Sequence, residues 1–198
     1  NIKNVLLGST TECYQHAEEE HKITRQVLIE LQKYNIPCYI LTKSCLITRD
    51  IDLLSCNTKN KICFTVTPLD NKILRKFELT SPYQSQRIES IRKLKNAGID
   101  VYAHVGPLMP GLFDIRDLYE KLKPLGVRVD FEIYHFNADF NVGARFIEPE
   151  WKIFTKEKYY SYWQNVCSQI DKYFANIEHK VHLHPYDDYF KNKEGQYI

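Results

Sequence analysis

Two short apolar segments near the start of the chain each lead into a cluster of small polar and charged residues. Residues 5–7 lead into Gly-Ser-Thr-Thr-Glu at positions 8–12, and residues 39–41 lead into Thr-Lys-Ser at positions 42–44. Apolar segments that alternate with amphipathic helices are typical of a parallel sheet, whose strands all point their carboxyl ends at one rim. Because α/β proteins bind ligands at that rim, the pattern predicts an α/β fold with a ligand site around both clusters.

Strand and helix patterns alternate along the first two-thirds of the chain. Strands are predicted at residues 4–8, 38–42, 62–66, 101–105 and 127–134, and helices at residues 18–34 and 51–54, between Pro82 and Gly98, and at residues 115–122. The predicted helix over 18–34 repeats apolar residues at helical spacing and begins with an acidic turn, which suits the positive end of a helix dipole. Five strands with helices between them predict one parallel sheet joined by right-handed crossovers.

The last third of the chain has a different pattern. Residues 136–149 show no period and are predicted as a long loop, whereas 155–174 carry aromatic and apolar residues at helical spacing. Such a stripe is typical of core packing. Residues 181–184 are a possible last strand. A chain of 198 residues with 43% hydrophobic content can bury one core, so a single domain over 1–198 is predicted.

Composition argues against several classes of protein. The net charge of +2 gives no general attraction to nucleic acid or anionic membranes. No apolar stretch approaches the roughly 20 residues of a membrane span, and no signal peptide is recognisable, so a soluble cytoplasmic protein without membrane contacts is predicted. The six cysteines include no pair at the close spacing of a zinc knuckle or a redox dithiol, and Cys38 and Cys63 are expected to be reduced and structural.

Several of these segments, taken in order, resemble a known family. They are Gly-Ser-Thr-Thr-Glu-Cys-Tyr-Gln at 8–15, Glu18, Thr24 with Arg25, Leu-Thr-Lys-Ser at 41–44, the segment 48–54, Thr-Ser-Pro at 80–82 with Arg87, Ala-Gly-Ile at 97–99, and the segment 106–112. Together they are similar to the radical S-adenosylmethionine proteins of the spore photoproduct lyase-like group. The resemblance extends from about residue 4 to about residue 135.

The resemblance implies a partial (β/α) barrel of the triosephosphate isomerase type over 1–135, lacking its first β/α unit, with a helical, aromatic-rich extension over 136–198. It also implies S-adenosylmethionine and a 4Fe-4S cluster as cofactors. In this family the cluster reductively cleaves S-adenosylmethionine to a 5′-deoxyadenosyl radical, which abstracts hydrogen from the substrate. The substrate of this chain is not implied, and nucleic acid is a possible partner by resemblance alone.

The resemblance assigns contacts to S-adenosylmethionine along the rim. The implied residues are Gly8, Ser9, Thr10 and Thr11 for the methionyl amine, Lys43 and Arg87 for the carboxylate, Thr65 and Thr67 for the ribose, and Gly106, Pro107 and Met109 for the adenine. Simpler roles stay open for these side chains. Lys43 could extend into solvent from a strand end, Arg87 could pair with Glu89 or Glu78, and Thr10 and Thr11 could cap the following helix.

Two departures from the family pattern bear on function. The family holds its cluster with Cys-x-x-x-Cys-x-x-Cys, and the six cysteines here contain no such triplet. This suggests either a fragment without the N-terminal cluster-binding segment, as an initial Asn1 favours, or a natural cluster-free descendant; in both cases this chain alone is expected to be inactive. Second, Ser9 stands where the photoproduct lyase has its hydrogen-donating cysteine, which argues against thymine-dimer repair. Cys13 is then the candidate catalytic thiol.

Two other functions stay open. His182, His184 and Asp187 form His-x-His-x-x-Asp, which could bind a transition metal in a (β/α) barrel hydrolase, with His135 as a further ligand. Alternatively, the chain could be a non-catalytic binding or assembly module that self-associates through an exposed sheet edge.

Overall fold

The computed structural model describes residues 3–67, 70–133 and 156–183, and within them six parallel strands form one sheet. The strands are β1 Val5–Leu7, β2 Cys38–Thr42, β3 Lys61–Val66, β4 Asp100–Leu108, β5 Val129–Ile133 and β6 His179–His182. Their order across the sheet is their order along the chain. This confirms the predicted α/β fold with parallel strands, and in the described part of the chain the sheet is open, not closed into a barrel.

Helices connect the strands and cover one face of the sheet. They are α1 Ala17–His21, α2 Ile23–Lys33, α3 Ile51–Leu54, α4 Asn71–Phe77, α5 Gln84–Asn96, α6 Ile115–Leu122 and α7 Lys156–Tyr173, with short 3-10 turns at Cys45–Asp50 and Lys123–Leu125. The aromatic stripe of α7 packs into the core through the buried rings of Tyr159 and Trp163, as its spacing predicted.

The two faces of the sheet differ because side chains alternate along each strand. On β3, Ile62, Phe64 and Val66 are buried in the core beneath the helices, whereas Cys63 and Thr65 face a cleft on the other side. The same alternation continues on the neighbouring strands. The sheet therefore presents an apolar face to the helices and a polar face to the cleft.

The register aligns the strand ends that the sequence pattern singled out. Ile40 pairs with Ile62 across β2 and β3, and Thr65 pairs with His104 across β3 and β4. Since all strands are parallel, the clusters that follow β1 and β2 and the ends of β3 to β6 share one rim.

One predicted helix is in fact two. The segment 18–34 breaks at Lys22, which has a φ of 52°, between α1 and α2. The Glu18 carboxylate accepts hydrogen bonds from the backbone N–H groups of Thr24 (2.8 Å) and Arg25 (3.2 Å). At the start of α2 these two groups have no carbonyl partner within the helix itself. The backbone must turn between Glu18 and Thr24 for the Glu18 carboxylate to reach these groups, so the two residues cannot belong to one continuous helix. The prediction of a single helix over 18–34 was therefore wrong.

Other bounds differ by a few residues. Strand β4 extends to Leu108, three residues beyond its predicted end at residue 105, so Gly106 and Pro107 lie within the strand. Strand β6 begins two residues earlier than predicted, and α4 was not predicted at all. The predicted loop 136–149 and the residues His135, His184 and Asp187 lie outside the described residues. Among the residues that are described, no helix is long and apolar enough to cross a membrane.

Candidate functional site

A cleft of about 680 Å³ opens on the polar face of the sheet toward the carboxyl ends of the strands. We call it the strand-end cleft. Its walls come from the segment after β1, the ends of β2 and β3, and side chains of β4, β5 and β6; they are residues 8–12, Tyr39, Leu41, Thr42, Lys43, Cys63, Thr65, Tyr102, His104, Arg128, Asp130, Glu132 and His182. Every strand of the sheet or the segment directly after it thus contributes to one concave surface.

Glu12 joins the ends of β1 and β2. Its carboxylate accepts hydrogen bonds from the Thr42 hydroxyl (2.6 Å) and from the backbone N–H groups of Lys43 (2.9 Å) and Tyr14 (2.9 Å). These bonds fix the polar segment 8–12 against the segment that carries Lys43. The sequence analysis noted Glu12 as part of a polar cluster but gave it no role.

The backbone at Gly8 is equally close to β2. Gly8 has a φ of 81°, and a Cβ atom placed there would lie 2.1 Å from the carbonyl oxygen of Leu41. Only glycine therefore fits where the chain leaves β1 and turns into the cleft wall.

Lys43 reaches a carboxylate that comes from a different part of the chain. Its ammonium group donates to Glu78 at 2.6 Å, and the buried Arg87 guanidinium donates to the other oxygen of Glu78. Of the two partners that the sequence offered for Arg87, the structure therefore selects Glu78. Burial would raise the pKa of Glu78, but the positive charges of Arg87 and Lys43 outweigh it and hold the pKa below its usual value.

The wall formed by β4, β5 and β6 carries paired acidic and basic groups. A ring nitrogen of His104 lies 3.0 Å from a carboxylate oxygen of Glu132, and Arg128 Nε donates to Asp130 at 2.7 Å. His182 Nε2 lies 3.7 Å from the second oxygen of Asp130. Of this wall only His182 was singled out from the sequence, as a candidate metal ligand; together its side chains offer both donors and acceptors to a polar ligand.

The floor of the cleft consists of uncharged hydroxyl and thiol groups. The hydroxyls of Tyr39 and Tyr102 are hydrogen-bonded to each other, and Arg128 lies 4.9 Å from the centre of the Tyr102 ring. Burial raises the pKa of Tyr39, Tyr102 and the neighbouring Cys63. These groups therefore stay protonated at neutral pH.

The structure brings together about half of the residues that the sequence analysis proposed as a site. Gly8, Ser9, Thr10, Thr11, Lys43 and Thr65 line the strand-end cleft. The others do not line it: Arg87 lies behind Glu78, Thr67 and Met109 are buried, and Pro107 is exposed. Gly106 is buried directly behind the cleft residues His104 and Glu132. The proposed caps are not formed, since α1 has no side-chain cap and Thr10 and Thr11 instead face the cleft.

Cys13 follows the cleft wall but does not line it. Burial raises the pKa of its thiol to about 12, and the nearby charges of Glu12 and Glu18 add to the effect. A reactive thiol needs the opposite, a lowered pKa and exposure. In iodoacetamide alkylation at pH 8, followed by peptide mass spectrometry, we expect exposed Cys56 to be modified at least about ten times faster than Cys13. Equal rates would contradict this assignment.

The described residues do not hold a metal cluster. Among them, no three His, Cys, Asp or Glu side chains converge as metal ligands would. A 4Fe-4S cluster therefore does not fit these residues. Of the proposed hydrolase ligands only His182 is described, and its nearest acidic partner is Asp130.

Comparison with known proteins gives distant relatives at the level of sequence. No family model matches the chain. An uncharacterized protein of Methanocaldococcus jannaschii is 28% identical over 134 residues, which is 68% of this chain and 51% of that protein. Uncharacterized proteins of Mycobacterium tuberculosis and of Acidianus two-tailed virus are 27% and 30% identical over 61% and 54% of this chain. The chain spans about half the length of the first of these relatives and 36% of the other two.

Solved structures with a similar fold include two radical S-adenosylmethionine enzymes. A spore photoproduct lyase complexed with a dinucleoside spore photoproduct matches 91% of this chain and 62% of its own, with a TM-score of 0.60 at 14% identity. Streptococcus suis SuiB bound to S-adenosylmethionine matches 91% of this chain and 39% of its own, with a TM-score of 0.61 at 13% identity. The chain therefore has a radical S-adenosylmethionine-like fold.

Proposed function

We propose that the strand-end cleft binds S-adenosylmethionine and that the chain is part of a radical S-adenosylmethionine protein of the spore photoproduct lyase-like group. The observation that carries the proposal is the convergence of residues 8–12, Lys43 and Thr65 on one cleft at the carboxyl ends of parallel strands. The fold supports it, because SuiB, which matches most of this chain, has been solved bound to S-adenosylmethionine.

The cleft offers chemistry that suits each polar part of this ligand. Lys43 supplies a charge-assisted donor for the methionyl carboxylate, and the hydroxyl and backbone groups of residues 9–11 supply acceptors for the amine. Thr65 supplies a hydroxyl for the ribose. The protonated hydroxyls of Tyr39 and Tyr102 add neutral hydrogen-bonding groups on the floor. The role of these residues is to bind and orient the ligand.

Radical chemistry would require cluster ligands from outside the described residues, and one edge of the sheet is suited to receive them. Within residues 3–67, 70–133 and 156–183, strand β1 has a neighbouring strand on one side only, which leaves an edge of backbone N–H and C=O groups on the other. We propose that a further β/α unit pairs with this edge and carries the cluster cysteines, as the resemblance implies.

The helix beside this edge supports the proposal. Exposed Ile23 and Val27 on α2 and Tyr34 directly after it form a stripe on one side of the helix. At 3.6 residues per turn, this stripe lies about opposite Arg25, which faces α3 and pairs with Asp52. The stripe therefore points away from α3, toward the free edge of β1, where a helix following an added strand would cover it.

The same edge carries the second candidate function, an assembly module without catalysis. In that case, a second copy of the chain would cover β1 and the α2 stripe. Sedimentation of the pure chain distinguishes the two: a defined oligomer that Ile23→Lys disrupts, together with no affinity for S-adenosylmethionine, would favour the assembly module.

Replacing Lys43 tests the proposed ligand site. We expect Lys43→Ala to weaken binding of S-adenosylmethionine about tenfold or more, because a hydrogen bond between charged groups contributes roughly 1.5–3 kcal/mol. Ligand-observed NMR suits the measurement, since the isolated chain lacks cluster iron, to which the family anchors the methionyl group, and should bind weakly.

Lys61→Ala is the matched control. Lys61 begins β3 at the opposite end of the strand and pairs with Asp100 at 3.3 Å, outside the strand-end cleft. We expect its replacement to leave affinity unchanged. If millimolar S-adenosylmethionine does not bind the unmodified chain, or if both variants weaken binding equally, the proposed site is wrong.

A further inference from the structure

The ammonium group of Lys43 is already paired in the structure. The Lys43–Glu78 contact measures 2.6 Å and lies at the cleft, where the Lys43 side chain is 39% exposed. Lys43 also lines a second cavity of about 560 Å³ beside the strand-end cleft. A ligand that uses Lys43 as an anion-binding group therefore competes with an internal carboxylate for the ammonium group.

Glu78, the partner of Lys43, is also held by a second cation, Arg87. The Arg87 side chain is fully buried, and its guanidinium donates to the carbonyl oxygen of Pro82 at 2.9 Å as well as to Glu78. Glu78 directly follows α4, and its backbone carbonyl accepts a hydrogen bond from Arg75 at 3.0 Å. These contacts hold the Glu78 carboxylate against Arg87 whether or not Lys43 is present.

We propose that Glu78 is an internal competitor for the carboxylate of the ligand and so determines the affinity of the cleft for carboxylate-bearing molecules. When a ligand carboxylate takes Lys43, Glu78 remains neutralised by Arg87, so that neither carboxylate is left without a cation. A ligand without a carboxylate leaves the Lys43–Glu78 pair intact. This exchange rests on the proposed function, because it assigns Lys43 to the methionyl carboxylate.

The size of the effect follows from the strength of the ion pair that must open. A partly exposed pair contributes up to about 1 kcal/mol, a factor of about five, which leaves Lys43 free in roughly one molecule in six. Apparent affinity falls in proportion to that fraction. Removing the competitor should therefore tighten carboxylate binding by up to about sixfold.

The test compares two ligands on the full chain. In Glu78→Gln we expect S-adenosylmethionine to bind up to about sixfold more tightly than in the unmodified chain, and 5′-methylthioadenosine, which lacks the methionyl carboxylate, to bind unchanged. The control is Glu89→Gln on the surface of α5, where Glu89 pairs with Arg92. That variant should leave both affinities unchanged.

A second variant is needed in case Glu78→Gln does not fold, because this change removes the counter-charge of the buried Arg87. Glu78→Gln/Arg87→Gln removes both charges and should tighten S-adenosylmethionine binding in the same way. The exchange is overturned if the unmodified chain binds S-adenosylmethionine and the folded variants bind it no more tightly, or if both ligands tighten equally. Absence of binding in every variant would instead overturn the proposed function and the exchange with it.

Discussion

Asp50→Asn is expected to lower the free energy of unfolding by about 3 kcal/mol near neutral pH, because it removes the charge from a buried carboxylate. The Asp50 side chain is fully buried, and its oxygens accept hydrogen bonds from Arg49 (2.9 Å), Arg25 (2.8 Å) and the Tyr14 hydroxyl (3.1 Å). Asparagine keeps the shape but leaves two arginines without this counter-charge. Urea unfolding measures the loss.

Asp52→Asn is the matched control. It is the same chemical change on the other carboxylate that Arg25 contacts, but the Asp52 side chain is 58% exposed. Exposed pairs contribute no more than about 1 kcal/mol, so we expect a loss below that value. Equal losses in the two variants would mean that the burial of Asp50 does not determine its contribution.

The effect of Asp50→Asn should depend on pH. Burial would raise the pKa of Asp50, but the hydrogen bonds from Arg49 and Arg25 outweigh it and lower the pKa below its usual value near 4. A carboxylate with a lowered pKa in the folded state stabilises the protein fully above its unfolded pKa, and this stability is lost as the pH falls through the folded pKa. The difference between Asp50→Asn and the unmodified chain should therefore be constant near neutral pH and shrink below pH 4.

This buried network also positions the cleft wall. Arg49 donates to the Glu18 carboxylate at 2.7 Å, and Glu18 in turn binds the start of α2. Tyr14, which contacts Asp50, is two residues from Glu12. The network thus fixes the segment after β1 to the 3-10 turn after β2, and its loss should disturb the cleft as well as the fold.

The strands and helices could be predicted well from the sequence because the pattern of apolar residues that marks each of them lies within a few neighbouring positions. The segments 38–42, 51–54 and 115–122 match β2, α3 and α6 residue for residue. A parallel strand covered by helices is a short run of mostly apolar residues, which is visible in the sequence. Gly98 and Gly126, both with positive φ, mark the ends of the helical segments that precede them. The break at Lys22 was missed because it depends on Glu18 binding backbone groups six and seven residues later.

The site was predicted only where it follows a strand end. Residues 8–11 and Lys43 follow strand ends, which predicted their place at the rim, and the family resemblance added Thr65 near the end of β3. Tyr39, Tyr102 and His104 meet through the register of β2, β3 and β4, which no local pattern specifies. Glu78 contacts Lys43 although the two are 35 residues apart in the chain. The sequence suggested Glu78 only as a possible partner of Arg87, not of Lys43.

Gly8→Ala is expected to destabilise the protein by about 3 kcal/mol or more and to abolish ligand binding in the cleft. The left-handed backbone at Gly8 costs an alanine roughly 1–2 kcal/mol by itself. The added Cβ would also lie 2.1 Å from the Leu41 carbonyl oxygen, so β1 must move away from β2. That movement would separate the segment 8–12 from Lys43, which together form one wall of the cleft.

Gly98→Ala separates the two causes, because Gly98 has a φ of 77° and no atom within 4 Å of an added Cβ. It carries the same backbone cost without the collision, so we expect a loss of about 1–2 kcal/mol in urea unfolding and unchanged ligand binding. If Gly8→Ala is no worse than Gly98→Ala, then β1 can shift without cost. The close contact between β1 and β2 would then not be what holds residues 8–12 in the cleft wall.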